Sequence, residues 1–107
     1  MKEETTIQNL IRIALSERGC IVHRANVGVF YTPQGEKIKV GVEGHTDLYG
    51  HRPDGKAFYI EVKTEKGKPS KKQLAFISGM ANSGAIAGIA RSPVEAVRLV
   101  FGGGYDC

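Results

Sequence analysis

The chain has 107 residues, of which 41% are hydrophobic and 24% charged, with a formal net charge of +4. That length supports one core and the composition is that of an ordinary soluble protein, so a single domain over residues 1–107 is expected. No apolar run approaches the roughly 18 residues of a membrane-spanning helix, and the acidic opening MKEETTIQNL lacks the apolar stretch of a signal peptide. Cys20 and Cys107 show neither metal-ligand nor redox spacing, which fits a reducing cytosol.

The first element is a helix over about residues 4–18. Ile7, Leu10, Ile11, Ala14 and Leu15 recur at i, i+3, i+4, i+7 and i+8, and Gly19 supplies a stop. Its start has two readings. Thr5 with Gln8 forms a capping box, or an earlier start stacks Glu4 and Gln8 on one face. Residues 20–24 read as a strand, residues 25–28 as a bend or bulge, and residues 29–31 resume extended chain. Thr32-Pro33-Gln34-Gly35 is a turn with proline at its second position. Residues 37–40 read as another short strand, and glycines at 41 and 44 allow close backbone approach.

The stretch 44–63, GHTDLYGHRPDGKAFYIEVK, organises the rest. Residues 45–49 alternate, and so do residues 57–63, with β-branched and aromatic side chains at period two. Arg52-Pro53-Asp54-Gly55 between them is a turn, so the stretch is a hairpin. Centred on Asp54, the hairpin opposes Gly50 to Phe58, Leu48 to Ile60 and Asp47 to Glu61. Leu48, Phe58, Ile60 and Val62 then form a core-facing set. Asp47, Glu61 and Lys63 share the opposite face, and a one-residue slip would put Asp47 among the apolar residues.

Two carboxylates side by side repel each other. A divalent cation reverses the sign, because hard carboxylate oxygens suit Mg²⁺ or Mn²⁺, and Lys63 beside them can hold or polarise a water. The bland alternative is a solvated strand face on which Lys63 neutralises Glu61.

Beyond Lys63, residues 64–69 form a polar loop. Lys66, Lys68, Lys71 and Lys72 crowd this segment, either as a solvated loop or as a rim gripping phosphates. Ser70 with Gln73 is a capping box that opens a second long helix. Leu74, Ile77 and Ala81 are expected to be its apolar face, with Phe76 and Met80 alongside, and residues 82–84 end it. Residues 85–90 read as a small-residue buried strand. Ser92-Pro93-Val94-Glu95 opens a last helix to about Phe101, which Gly102-Gly103-Gly104 frays. His23, His45 and His51 are scattered in sequence and suit ordinary strand and loop positions better than a histidine metal site. The order of elements predicts an α/β domain with a mixed sheet and helices on its faces.

Five groups of residues together resemble the VRR-NUC (virus-type replication-repair nuclease) family of the PD-(D/E)xK nuclease superfamily. They are Glu4 with Ile7-Gln8, Gly44 with Asp47-Leu48, Ile60-Glu61-Val62-Lys63, Gly67 with Ser70 and Gln73, and Gly84 before a small-residue strand. The resemblance covers about residues 4–98. It implies one nuclease domain with a restriction-endonuclease-like fold. By that resemblance Asp47, Glu61 and the Val62 carbonyl bind Mg²⁺ or Mn²⁺, and Lys63 positions the attacking water. Gln73 and Glu4 complete the catalytic set, Glu4 through metal or water, although Glu3 is adjacent and Gln73 has its cap. A structure-specific DNA endonuclease is then expected, acting as a homodimer on branched or four-way DNA in the manner of a Holliday-junction resolvase. The setting it implies is a bacterial or phage-infected cell. A restriction-like nuclease and a non-catalytic nucleic-acid-binding protein are the alternatives. The former normally needs more chain for base contacts, and the latter has no use for two juxtaposed acids. No Ser/His/Asp, Cys/His or phosphate-cradling glycine pattern offers a competing chemistry.

Overall fold

The computed structural model describes residues 3–102; Cys107 and the tail glycines Gly103 and Gly104 lie outside them. In chain order the elements are α1 (Glu4–Ser16), β1 (Ile21–Arg24), β2 (Gly28–Tyr31), β3 (Lys37–Val40), β4 (Leu48–His51), β5 (Ala57–Val62), α2 (Lys71–Asn82), β6 (Ile86–Ala90) and α3 (Pro93–Phe101). Four strands form a mixed sheet in the order β1-β4-β5-β6, in which only β5 and β6 run parallel. The strands β2 and β3 pair as a separate two-stranded sheet.

The central hairpin has the expected register, with Leu48 opposite Ile60 and Gly50 opposite Phe58. Leu48, Phe58, Ile60 and Val62 are all fully buried. Each such side chain is worth about 1.5–3 kcal/mol of burial, so a one-residue slip forfeits far more than any surface contact could return. α1 supplies Ile7, Ile11 and Leu15 to this core, and α3 supplies Ala96, Val97 and Val100. Gly88 on β6 admits α3 closely, since a Cβ there would lie 2.9 Å from Leu99. α2 packs over β5 and β6 on the other side, through Phe76 against Tyr59.

Several local expectations are corrected. α1 starts at Glu4 with Glu3 as its N-cap and no side-chain cap bond, so the Thr5–Gln8 capping box does not form. Ile7 then falls on the core side, and Glu4 and Gln8 stack one turn apart. The helix ends at Ser16, and Gly19 turns the chain with a φ of +83°. Cys20 precedes β1 rather than lying in it, and β4 begins only at Leu48, which leaves Asp47 on the segment entering the strand. α2 has no fully buried residue, and Leu74 is exposed. Its half-buried stripe keeps Ile77, Phe76 and Met80 as expected, but takes in Gln73 and leaves Leu74 and Ala81 exposed. The strand β6 is half-buried apart from Ala90, which is fully so. At α3 Ser92 accepts from the Glu95 amide as a cap should, but the Glu95 carboxylate reaches back to the Arg91 amide instead. Among the described residues no helix is long and apolar enough to cross a membrane.

Candidate metal centre

One carboxylate oxygen from each of Glu4, Asp47 and Glu61 lies within 4.8 Å of the others. Three elements bring them together. Glu4 is the first residue of α1, where the positive end of the helix dipole favours a carboxylate. Glu61 sits near the end of β5. Asp47 arrives on the segment from β3 to β4 and is fixed by its own bonds. Its Oδ2 accepts from the Val62 amide at 2.8 Å, and its carbonyl accepts from the Ala25 amide at 2.9 Å. The buried Thr46 hydroxyl donates to the Leu48 carbonyl and holds the entry to β4.

The segment before Asp47 is docked on α2. Gly44 has a φ of +87°, and a Cβ there would lie 2.7 Å from the Lys72 carbonyl oxygen. Glu43 pairs with the Lys72 ammonium, and the His45 ring packs 4.5 Å from that of Phe76. Lys72 and Phe76 stand one turn apart on α2, so a single helical face seats the loop that delivers Asp47.

Glu61 is not on a solvated strand face. It is fully buried, and neither carboxylate oxygen has a hydrogen-bond donor aligned with it. The Lys63 ammonium, itself largely buried, lies 3.1 Å from Oε2 as an ion-pair partner. Burial pushes the Glu61 carboxyl up to about 7, and the Asp47 carboxylate adds to that; Lys63 opposes the shift, and Glu4 adds a smaller upward push. A buried carboxylate short of donors and facing two further acids is costly by itself. It suits a hard divalent cation, which would satisfy all three acids at once.

The other expected residues sit as follows. Val62 gives its amide to Asp47 and its side chain to the core. Gln73 lies on the inner stripe of α2, and its hydrogen bonds are those of the cap, with its Oε1 accepting from the Ser70 amide at 2.8 Å. Lys66, Lys68 and Lys71 are exposed, and Lys72 is exposed but paired with Glu43. Three further residues bear on the site and its rim. Gln8, buried one turn after Glu4, is foreshadowed by its i, i+4 spacing. Arg91 donates from Nη1 to the Thr64 and Gly67 carbonyls, both at 2.6 Å, and so holds the lysine loop. His45 docks the Asp47 segment. For these last two no local sequence signal exists, because their partners are distant in the chain.

A mixed sheet flanked by helices, with a cluster of acids at the end of its central strands, defines a nuclease-like domain with a candidate divalent-metal centre. The VRR-NUC domain model matches residues 2–93, and the chain belongs to that family. A solved structure named "VRR_NUC domain" shares the fold with a TM-score of 0.70 at 22% identity, covering 98% of this chain and 100% of that one. No curated protein matches the chain.

Proposed function

We propose that this chain is a metal-dependent, structure-specific DNA endonuclease of the PD-(D/E)xK type, acting on branched DNA as a homodimer in the cytoplasm. The observation that carries the reading is the buried Glu61 carboxylate, without aligned donors, clustered with Asp47 and Glu4 beside Lys63. Asp47, Glu61 and the Val62 carbonyl, completed by Glu4, would hold Mg²⁺ or Mn²⁺, which supplies Lewis acidity toward a phosphodiester and acidifies water. Lys63 lies where its ammonium can orient a water and the phosphate. Gln73 is assigned to the catalytic set by the family resemblance alone, its hydrogen bonds being those of the cap.

The lysines fit the rest of the substrate. α2 begins with Lys71 and Lys72 and has no acid in its first turn. That is the wrong sign for the helix dipole, at about 0.3–1 kcal/mol per charge. Glu43 already answers Lys72, and a phosphate backbone would do the same for Lys71, with the exposed Lys66 and Lys68 extending the rim. A non-catalytic DNA-binding role would leave the costly acidic cluster without a purpose. The test is incubation of end-labelled duplex, flap, fork and four-way DNA with Mg²⁺, Mn²⁺ or EDTA. Metal-dependent cleavage favouring branched forms is expected. Absence of cleavage of every substrate with either metal would refute it.

A further inference from the structure

The sheet face that carries Glu61 also carries a row of rings. His23, Tyr49 and Tyr59 are directly opposed across β1, β4 and β5, so they share one face. Tyr59 stands two residues before Glu61 on the same strand, about 7 Å along that face. The His23 and Tyr49 ring centroids are 5.4 Å apart. The His45 ring, two residues before Asp47, meets Tyr49 at 5.4 Å and Tyr59 at 5.9 Å. Phe76 closes the α2 end of the row, 5.7 Å from Tyr59. The histidines at 23 and 45, far apart in sequence, are thus gathered around Tyr49.

Packing under α2 accounts for half of this row only. Phe76, Tyr59 and His45 seat the helix and the Asp47 loop. His23 and Tyr49 lie past the strands that α2 covers; His23 is exposed and Tyr49 half-buried. The carboxylates on this face, Asp47 two residues before Tyr49 and Glu61 two residues after Tyr59, stand at its metal-centre end. The other members of the part around His23 and Tyr49 are Ile21, His51 and Ala57, and Lys63 follows Glu61 at the catalytic end. An exposed ring and a half-buried one, leading to the metal centre and to Lys63 beside it, match the chemistry of a nucleotide. Rings take the base and cations take the phosphate.

We propose that His23 and Tyr49, continued by Tyr59, form a stacking platform for an unpaired nucleotide adjacent to the cleaved phosphate. This rests on the nuclease reading above and supplies its preference for branched DNA. Paired bases are already stacked, whereas the first unpaired base of a flap or fork is free to lie on the rings. Stacking tolerates any base, so the preference is for structure and not for sequence.

The experiment uses 2-aminopurine at the first unpaired position of a flap, and a matched duplex, both titrated in Ca²⁺ to suppress cleavage. The wild-type chain and Tyr49→Phe should quench the fluorophore on binding the flap. The double variant His23→Leu with Tyr49→Leu, checked by circular dichroism, should lose the quenching. It should also bind the flap roughly fivefold to a hundredfold more weakly, from the worth of one stacked base, with duplex affinity unchanged. Quenching that persists in the double variant, or equal weakening on flap and duplex, would overturn the platform. A wild-type chain that binds neither DNA would instead overturn the nuclease reading, and the platform with it.

Discussion

Glu61 is a carboxyl group folded into a place that disfavours its charge, and the consequence is measurable without substrate. Its folded value of about 7 stands above the ordinary 4.5. Between those values the folded chain holds more protons than the unfolded one, so stability falls as pH rises through that window. The loss is on the order of 1–3 kcal/mol, at about 1.4 kcal/mol per unit. Urea unfolding of the metal-free chain should therefore show lower stability at pH 8 than at pH 5, and Glu61→Gln should flatten the difference. An unchanged pH dependence in that variant would assign the effect to another group. Mn²⁺ should restore the wild type at pH 8, because a ligand that binds only the folded state stabilises it by mass action. Chemistry should separate from binding within the same cluster. Asp47→Ala should abolish cleavage with circular dichroism unchanged. Lys63→Ala should lose turnover while calorimetry still detects Mn²⁺. Joint loss of metal binding and activity in Lys63→Ala would contradict this division of roles.

Among elements, α2 matters less for the core than for what it seats. None of its residues is fully buried, yet its first two turns hold the loop that carries Asp47. Gly44 and Gly55 make a matched pair for testing this. Both have a φ of +87°, but a Cβ at Gly44 meets the Lys72 backbone, whereas at Gly55 nothing lies within 4 Å. Gly55→Ala should cost only the backbone strain, about 1 kcal/mol, and leave cleavage intact. Gly44→Ala should cost about 1–3 kcal/mol and reduce cleavage further, because the loop must lift from α2 and Asp47 moves with it. Melting curves and cleavage rates of the two variants decide the matter. Equal activity in both would show that the docking of this loop does not position Asp47.

At the scale of the whole molecule, the described chain extends 53 × 35 × 25 Å. The β2–β3 hairpin forms its own sheet, with Phe30, Ile38 and Val40 exposed on one side. Because Phe30 contributes nothing to the core, Phe30→Ala should change stability by less than about 0.5 kcal/mol. Phe58→Ala should cost about 3–5 kcal/mol. Thermal melts that ranked the two alike would mean the hairpin is part of the cooperative core. Arg91 ties down the loop bearing Lys66 and Lys68. Replacing both lysines by alanine should flatten the slope of log K against log salt by roughly 0.9 per lost phosphate contact on duplex DNA. Binding should weaken alike on duplex and junction, since phosphate contacts position without specifying. An unaltered slope would leave the lysines as a solvated loop. Paired cuts on a four-way junction require two sites related by a two-fold axis, so sedimentation equilibrium should show a dimer.

What the sequence determined by itself was local. The alternation of residues 44–63 carried the hairpin and its register, because a period of two admits only one pairing that buries Leu48, Phe58, Ile60 and Val62 together. The Ser70–Gln73 capping box and the proline-led start of α3 were legible for the same reason, since each is satisfied within four residues. The acids Asp47 and Glu61 followed from that register. Periodicity assigns a residue to a face but does not say what will cover it. Alternation sets Glu61 opposite the core, and only the tertiary structure shows that it is buried, with Glu4 of α1 and Asp47 gathered against it. The same limit applies to Thr5 and Gln8, whose capping box lost to a helix start that places Ile7 in the core and Glu4 beside the other acids. It applies also to the stripe of α2, which Tyr59 and His45 draw around to Phe76. Burial and electrostatics depend on groups brought near by the whole chain, so the chemistry of the acids was decided only by the tertiary structure.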